Sequence, residues 1–425
     1  MRVKYYLSIA AVVGVLLAAL PGLCVTTNVE VEKEGLHYIE VTTVRFDEAD
    51  LDGLDVDTAS GSIHCERWDK RFMEVRVVKK SRKYSVEEAK DEFSLLDVEA
   101  SVVNGCADVE IERMPFFTKL SVEVFCSVPA GRDVELETGG GEVRINGIEG
   151  GVKAKTGGGH LDASDCHGPV SLTTGGGDID VRRCQGSLTA KTGGGDVSVQ
   201  TCSGDIVCKS GGGDIDLMDC GGGVTAKTGG GDVKLRDCRS GVEAKTGGGS
   251  IDAEDCHGAV SLTSGGGDIE ASRCRGRLIV NTGGGAIRVD GAERVDASTG
   301  GGAIRLFGVS GSVDASTGGG LIVAEACGLS LDTTGHFRLD SGGGDVRLRI
   351  PPRLPLDISV RLETARRVPP RKRVRCFFPL ERHQTGRRGV FKDNVLTAKG
   401  KRLGGGFLIE IETRRADVVI EPCDR

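Results

Sequence analysis

Residues 192–209 read TGGGDVSVQTCSGDIVCK. Val197 and Val199 alternate with Asp196 and Ser198. After a corner at residues 202–204, Ile206 and Cys208 alternate with Asp205 and Val207. A period of two is the mark of a strand buried on one face. The stretch therefore holds two short strands and two corners, and it is too short and too Gly-rich for a helical hairpin. Glycine at each corner is expected to supply the positive φ of a tight turn.

The same pattern recurs on both sides. Glycine triplets begin at Gly139, Gly157, Gly175, Gly193, Gly211, Gly229, Gly247, Gly265 and Gly283, each step being 18 residues. Two more begin at Gly300 and Gly318, after steps of 17 and 18. A fixed short period means stacked units, none of which can bury its own apolar face alone. Stacking places parallel strands about 4.8 Å apart, with like residues in files. One file is Leu161, Ile179, Val197, Ile215, Val233, Ile251, Ile269, Ile287 and Ile304. A second is Ala163, Val181, Val199, Leu217, Leu235, Ala253, Ala271, Val289 and Leu306. These branched and small residues predict a narrow core. The expected fold is all-β, a parallel, single-stranded β-helix-like solenoid of about 18 residues per coil.

The flanks differ, as the ends of a stacked fold must, because an open end exposes strand edges. Residues 25–138 read as a strand-rich lead-in, with strands near 72–78 and 120–126. A helix near 86–95 is announced by Ser85 with Glu88 three residues on. Gly61, Ser62 and Ile63 resemble a degenerate first coil. Residues 139–345 are the regular repeats. Residues 346–425 form a basic cap, with 20 Lys and Arg against 9 Asp and Glu in a chain of net charge −7. Strands are expected there near 356–362 and 407–411.

The repeated T-G-G-G-D-[IV]-x-[VLA] and G-x-[VL]-x-[AL]-[KT]-[TS] motifs resemble the bacterial "putative adhesin" family of Gly-rich β-strand repeat proteins. The resemblance covers roughly residues 50–425. It implies an exported β-solenoid without established chemistry. The family's usual corner is Asn-Gly-Asp or Ser-Gly-Asp; this chain has a glycine triplet and a regular Cys instead.

Arg2 and Lys4 precede an apolar run at residues 5–20, with Gly22 and Cys24 beyond it. This reads as a secretory signal peptide over residues 1–24. The run is shorter than the roughly 20 residues of a membrane span, and no other stretch is long enough for one, although retention as an uncleaved anchor stays open. Leu23 stands where lipid attachment at Cys24 calls for a small residue. The expected location is outside the cytoplasm: periplasm, cell surface or secreted.

Three residue sets carry candidate chemistry. Cys166, Cys184, Cys202, Cys220, Cys238, Cys256 and Cys274 recur every 18 residues, and Cys327 fits the same column. They read as a ladder of buried thiols packing as small hydrophobes, as disulfides between neighbouring coils, or as a soft-metal thiolate strip. The last lacks the Cys-x-x-Cys or His pairing of tetrahedral sites. Cys106 with Cys126 is a separate candidate bridge. Asp178, Asp196, Asp214 and Asp232 form an outward acidic column, with Asp180 and Asp216 in a parallel one. Stacked like charges invite counter-ions, so these are candidate cation ligands, or else a solvated stripe that keeps the protein soluble. Arg366, Arg367, Arg371, Lys372, Arg373 and Arg375 form a candidate anion-binding cluster. No aromatic interleaving accompanies it, so nucleic-acid binding is not expected.

Catalytic motifs of the nucleophile-elbow, zincin or phosphate-loop kinds are not present. No catalytic residue, metal or cofactor is assigned. The reading is a non-catalytic exported scaffold, presenting a repetitive surface to an envelope polysaccharide, another surface or a second copy of the chain. A Ca²⁺-responsive module built on the Asp columns, and a polysaccharide-active β-helix enzyme, are the alternatives.

Overall fold

The structure, a computed structural model, describes residues 25–34, 36–47, 51–113, 120–326, 335–364, 373–385, 394–414 and 416–423. The expected signal peptide lies outside the described residues. The chain forms two compact bodies, residues 1–211 and 212–425. Both are all-β and mostly parallel; Val86–Phe93 is the one α-helix among the described residues.

In the first body, the strand after each glycine triplet pairs in parallel with its counterpart one repeat later. Val143–Asn146, Leu161–Ser164, Ile179–Arg182 and Val197–Cys202 form one such ladder. Val152–Thr156, Val170–Thr174, Leu188–Thr192 and Ile206–Ser210 form the other. Ile179 faces Leu161 on one side and Val197 on the other, a step of 18 each way. The expected inward residues, among them Leu161, Ala163, Ile179, Val181, Val197 and Val199, are buried. Burying each of the larger ones contributes about 1.5–3 kcal/mol.

The ladders reach back into the lead-in. Ile63 is the Cα partner of Val143, and Val56 that of Leu136. The strand direction then alternates. Met73–Ser81 lies antiparallel on Ser121–Val128, His37–Phe46 antiparallel on Met73–Ser81, and Val25–Glu34 antiparallel on His37–Phe46. The helix begins where Ser85 predicts, its Oγ accepting the Glu88 N–H at 3.2 Å. It packs Ala89 and Phe93 against Tyr38. Lys79 closes its far end, donating to the Phe93 and Leu96 carbonyls at 3.2 and 2.8 Å while pairing with Glu40 at 2.8 Å.

The second body repeats the scheme. Val233–Cys238 lies on Ile251–Glu254, and Val242–Thr246 on Val260–Ser264. The 17-residue step is absorbed at a corner: Cys274 faces Ala292, 18 on, whereas Arg277 faces Arg294, 17 on. Inward alternation on either side is thereby kept. The far end changes direction too, with Leu356–Thr364 antiparallel to Asn394–Arg402 and that strand antiparallel to Glu381–Thr385.

One expectation is corrected. The glycines of the regular triplets are not at positive φ; that conformation belongs to the residue before each column cysteine and, at the corner position of Gly204, to Gly258 and Gly276 at 78° and 105°. Asp165, Arg183 and Thr201 in the first body, and Asp219, Asp237, Asp255 and Arg273 in the second, have φ between 52° and 56°. Gly147, Gly291 and Gly308 hold the equivalent place in other repeats, at 73°, 79° and 61°. Asp tolerates this region, but a β-branched residue is strained there. Thr201→Asn is therefore expected to stabilise the protein by about 1 kcal/mol, measured as a rise in the urea midpoint at unchanged slope.

Candidate functional site

The column cysteines sit at the corner that follows the left-handed residue. In the first body Gln185 N donates to Cys166 O at 2.9 Å and Ser203 N to Cys184 O at 3.1 Å, which sets the three cysteines one above another. In the second body Cys220 is the Cα partner of Cys238. All seven are buried and free; Cys327 lies outside the described residues. Contact with the Cys220 sulfur pushes the Cys238 thiol up to about 12, and contact with Cys238 does the same for Cys256. Cys208, inward on the other ladder, is pushed up to about 12 by burial alone. Cys208, Cys238 and Cys256 therefore stay protonated at neutral pH and are poor nucleophiles and metal ligands, whereas contact with the Cys166 sulfur, and then with that of Cys202, pushes the Cys184 thiol down. Ile148, Ala292 and Val309 follow Gly147, Gly291 and Gly308 and are buried in the same column. The position accepts any small or medium apolar side chain, and Cys serves there as one.

The Cys106–Cys126 bridge is not formed. Cys126 is buried opposite Cys65 on neighbouring strands, whereas Cys106 faces Gly53 on the other ladder. Both are free. Cys423 is disulfide-bonded.

The acidic column has a structural task that the alternation pattern did not reveal. Asp178 Oδ1 accepts the Asp196 N–H at 2.8 Å, one repeat on. Asp214 Oδ1 accepts from Asp232 N and Asp232 Oδ1 from Ser250 N, both at 2.7 Å. Where His160 interrupts the column, its Nδ1 takes the Asp178 N–H at 3.0 Å instead. One oxygen of each of these carboxylates is thus engaged by backbone. In the parallel column, Asp180 lies 3.5 Å from Arg182 and Asp216 faces Lys234. Among the described residues, no group of three or more His, Cys, Asp or Glu is arranged to hold a metal ion.

A second polar file escaped sequence reasoning although it stands in the motif itself. The Thr or Ser before each triplet is buried and bridges two repeats. Thr156 Oγ1 donates to Gly141 O at 2.8 Å and accepts the Gly159 N–H at 3.1 Å. Thr174 and Thr192 do the same with Gly159 and Gly177 as acceptors, each at 2.8 Å.

A groove of about 480 Å³ runs from the lead-in onto the first repeats, lined among others by Leu54, Asp55, Cys106, Asp133, Glu135 and Lys153. Its acidic side arises from register. Asp55 is the Cα partner of Asp108 on one side and Glu135 on the other; Asp57 stands between Glu110 and Glu137 in the next row. Glu135 is the partner of Lys153 and Glu137 of Lys155, and Lys155 Nζ lies 2.9 Å from Glu137. Burial first, then the Glu135, Asp108 and Asp57 charges, pushes the Asp55 carboxyl up to about 6. Acid-x-acid triplets on three strands were the available signal.

The sign of the pH effect follows from proton uptake. In the unfolded chain Asp55 protonates near its ordinary value of about 3.9, and in the fold it does so at about 6. The fold binds the proton first, so stability increases as pH falls through 6 and levels off below the unfolded value. Asp55→Asn is expected to raise stability at pH 7.5 by about 1 kcal/mol, after allowance for solvent screening, and to flatten this part of the curve. Urea melts across the range check it.

Of the basic cluster, Arg366, Arg367, Arg371 and Lys372 lie outside the described residues. Arg373 is 3.4 Å from Asp417. Arg375 is exposed on the strand Val374–Cys376, opposite Val419.

No protein-family model and no curated protein matches the chain. The solved structures similar to it include the following three. A "putative cell adhesion protein" of Clostridium sporogenes is 8% identical, over 93% of this chain and 99% of that one, with a TM-score of 0.17. A "putative adhesin" of Bacteroides fragilis is 16% identical, over 72% and 96%, with a TM-score of 0.16. A "putative lipid binding protein" of Parabacteroides distasonis is 12% identical, over 71% and 96%, with a TM-score of 0.25. At such TM-scores these likenesses carry no argument about this chain.

Proposed function

We propose that the chain is an exported, non-catalytic β-solenoid scaffold of the adhesin-like kind, whose repeats hold an envelope polymer. One observation carries the reading. Exact register turns each outward position into a row of side chains at one-strand spacing. On the first body Lys155, Thr173, Lys191 and Lys209 follow one another in such a row. Hydroxyls and ammonium groups at about 4.8 Å intervals suit an extended anionic polysaccharide, which would be gripped by many weak contacts rather than in one deep pocket. The corner cysteines and the Asp column serve the fold, so neither needs a catalytic role.

Cell fractionation with protease shaving of intact cells tests the location, and retention on acidic against neutral polysaccharides tests the binding. The expected result is a protease-accessible envelope protein retained by acidic polymers and released by salt. Recovery in the cytosol, or indifference to every polymer charge, ends the reading. Polymer cleavage abolished by a single Asp substitution would replace it with catalysis.

A further inference from the structure

We propose that the loop of residues 68–72 docks the protein on an anionic lipid surface, with Trp68 as the group that enters the interface. Trp68 is the only tryptophan of the chain. Its neighbours Cys65 and Met73 are in the core, but the indole stays half-buried at the rim. It stands edge-on to Phe72 at 4.7 Å and 81°, and its Nε1–H donates to the Phe72 carbonyl at 2.8 Å. Cations cover both rings: Arg45 lies 3.5 Å over Phe72 and Lys70 4.3 Å over Trp68. Asp69, Lys70 and Arg71 are exposed. Arg45 and Arg67 have carboxylate partners in Asp47 and Glu149; among the described residues Lys70 and Arg71 have no ion pair.

Indole rings favour the headgroup level, where one part is apolar and another wet. Lys70 and Arg71 are drawn to anionic headgroups over about a Debye length. Once the ammonium and guanidinium groups turn to lipid phosphates, the ring faces they now cover are free to meet the interface. This inference goes beyond polymer binding and stands without it.

Because the chain has one indole, its intrinsic fluorescence reads this loop alone. The protein, purified as the exporting cell leaves it, is mixed with vesicles of phosphatidylglycerol and phosphatidylcholine in equal parts, or of phosphatidylcholine alone. The expected result is a blue shift of Trp68 emission and quenching by brominated lipid chains on the anionic vesicles, with a much smaller response on the neutral ones. The Lys70→Gln, Arg71→Gln double variant, with an unchanged circular dichroism spectrum, should bind anionic vesicles roughly tenfold more weakly. An unchanged emission on anionic vesicles, an equal response on neutral ones, or a double variant that behaves as wild type would each overturn the proposal. Retention on an acidic polysaccharide without any vesicle response would likewise overturn it, and would leave binding to the row of Lys155, Thr173, Lys191 and Lys209 alone.

Discussion

Gly177→Ala is expected to unfold the repeats around it, while Gly176→Ala, one residue away, leaves them intact. A Cβ on Gly177 would lie 2.0 Å from the Gly159 carbonyl oxygen and 2.4 Å from its carbon. The obstacle is the backbone of the preceding repeat, held by ladder hydrogen bonds on either side, so it has nowhere to move. A Cβ on Gly175 would meet Gly157 O at 2.1 Å. On Gly176 it would have no heavy atom within 4 Å. The cost at Gly177 or Gly175 should exceed about 4 kcal/mol, the range of severe packing lesions. At Gly176 the change should stay within about 1 kcal/mol, because a less free unfolded chain offsets any local adjustment. Urea melts followed by circular dichroism separate the two classes, and equal losses at Gly176 and Gly177 would refute the close-approach account.

Thr192→Val should cost about 3 kcal/mol, and Thr192→Ser less than about 1 kcal/mol. The Thr192 hydroxyl donates to Gly177 O at 2.8 Å and accepts the Gly195 N–H at 3.1 Å. Valine keeps the shape and the β-branched rotamer preference, but it leaves a buried carbonyl and a buried amide without a partner. Each orphaned group costs about 1–3 kcal/mol. Serine retains both bonds, and Ser210 already does this work one repeat on, donating to Gly195 O at 2.8 Å. A valine variant as stable as the serine variant would show that the hydroxyl file is dispensable.

Much of the architecture is legible in the sequence. Glycine spacing gave the repeat length, two-residue alternation gave the strands, and Ser85 with Glu88 gave the helix start. These are local signals, or signals repeated often enough to act as local ones. What escaped depends on which strands become neighbours. The reason for the triplets is the distance to the previous repeat, not the backbone conformation of the glycine. The Asp178 carboxylate faces solvent in a strand diagram, yet its oxygen is taken by an amide 18 residues away. Cys126 meets Cys65 rather than Cys106 because Ser62–Arg67 lies parallel to Ser121–Val128. The acidic rows around Asp55 join three lead-in strands with no common period, so no spacing rule could assemble them.

The central glycine of each triplet has a further consequence. Gly140, Gly158, Gly176 and Gly194 all point into open space, one per repeat. Any side chain grafted there would occupy one tick of a molecular ruler, graduated at the interstrand distance of about 4.8 Å. Charges, sugars or dyes could be installed singly or in series along it, with their separation chosen by counting repeats.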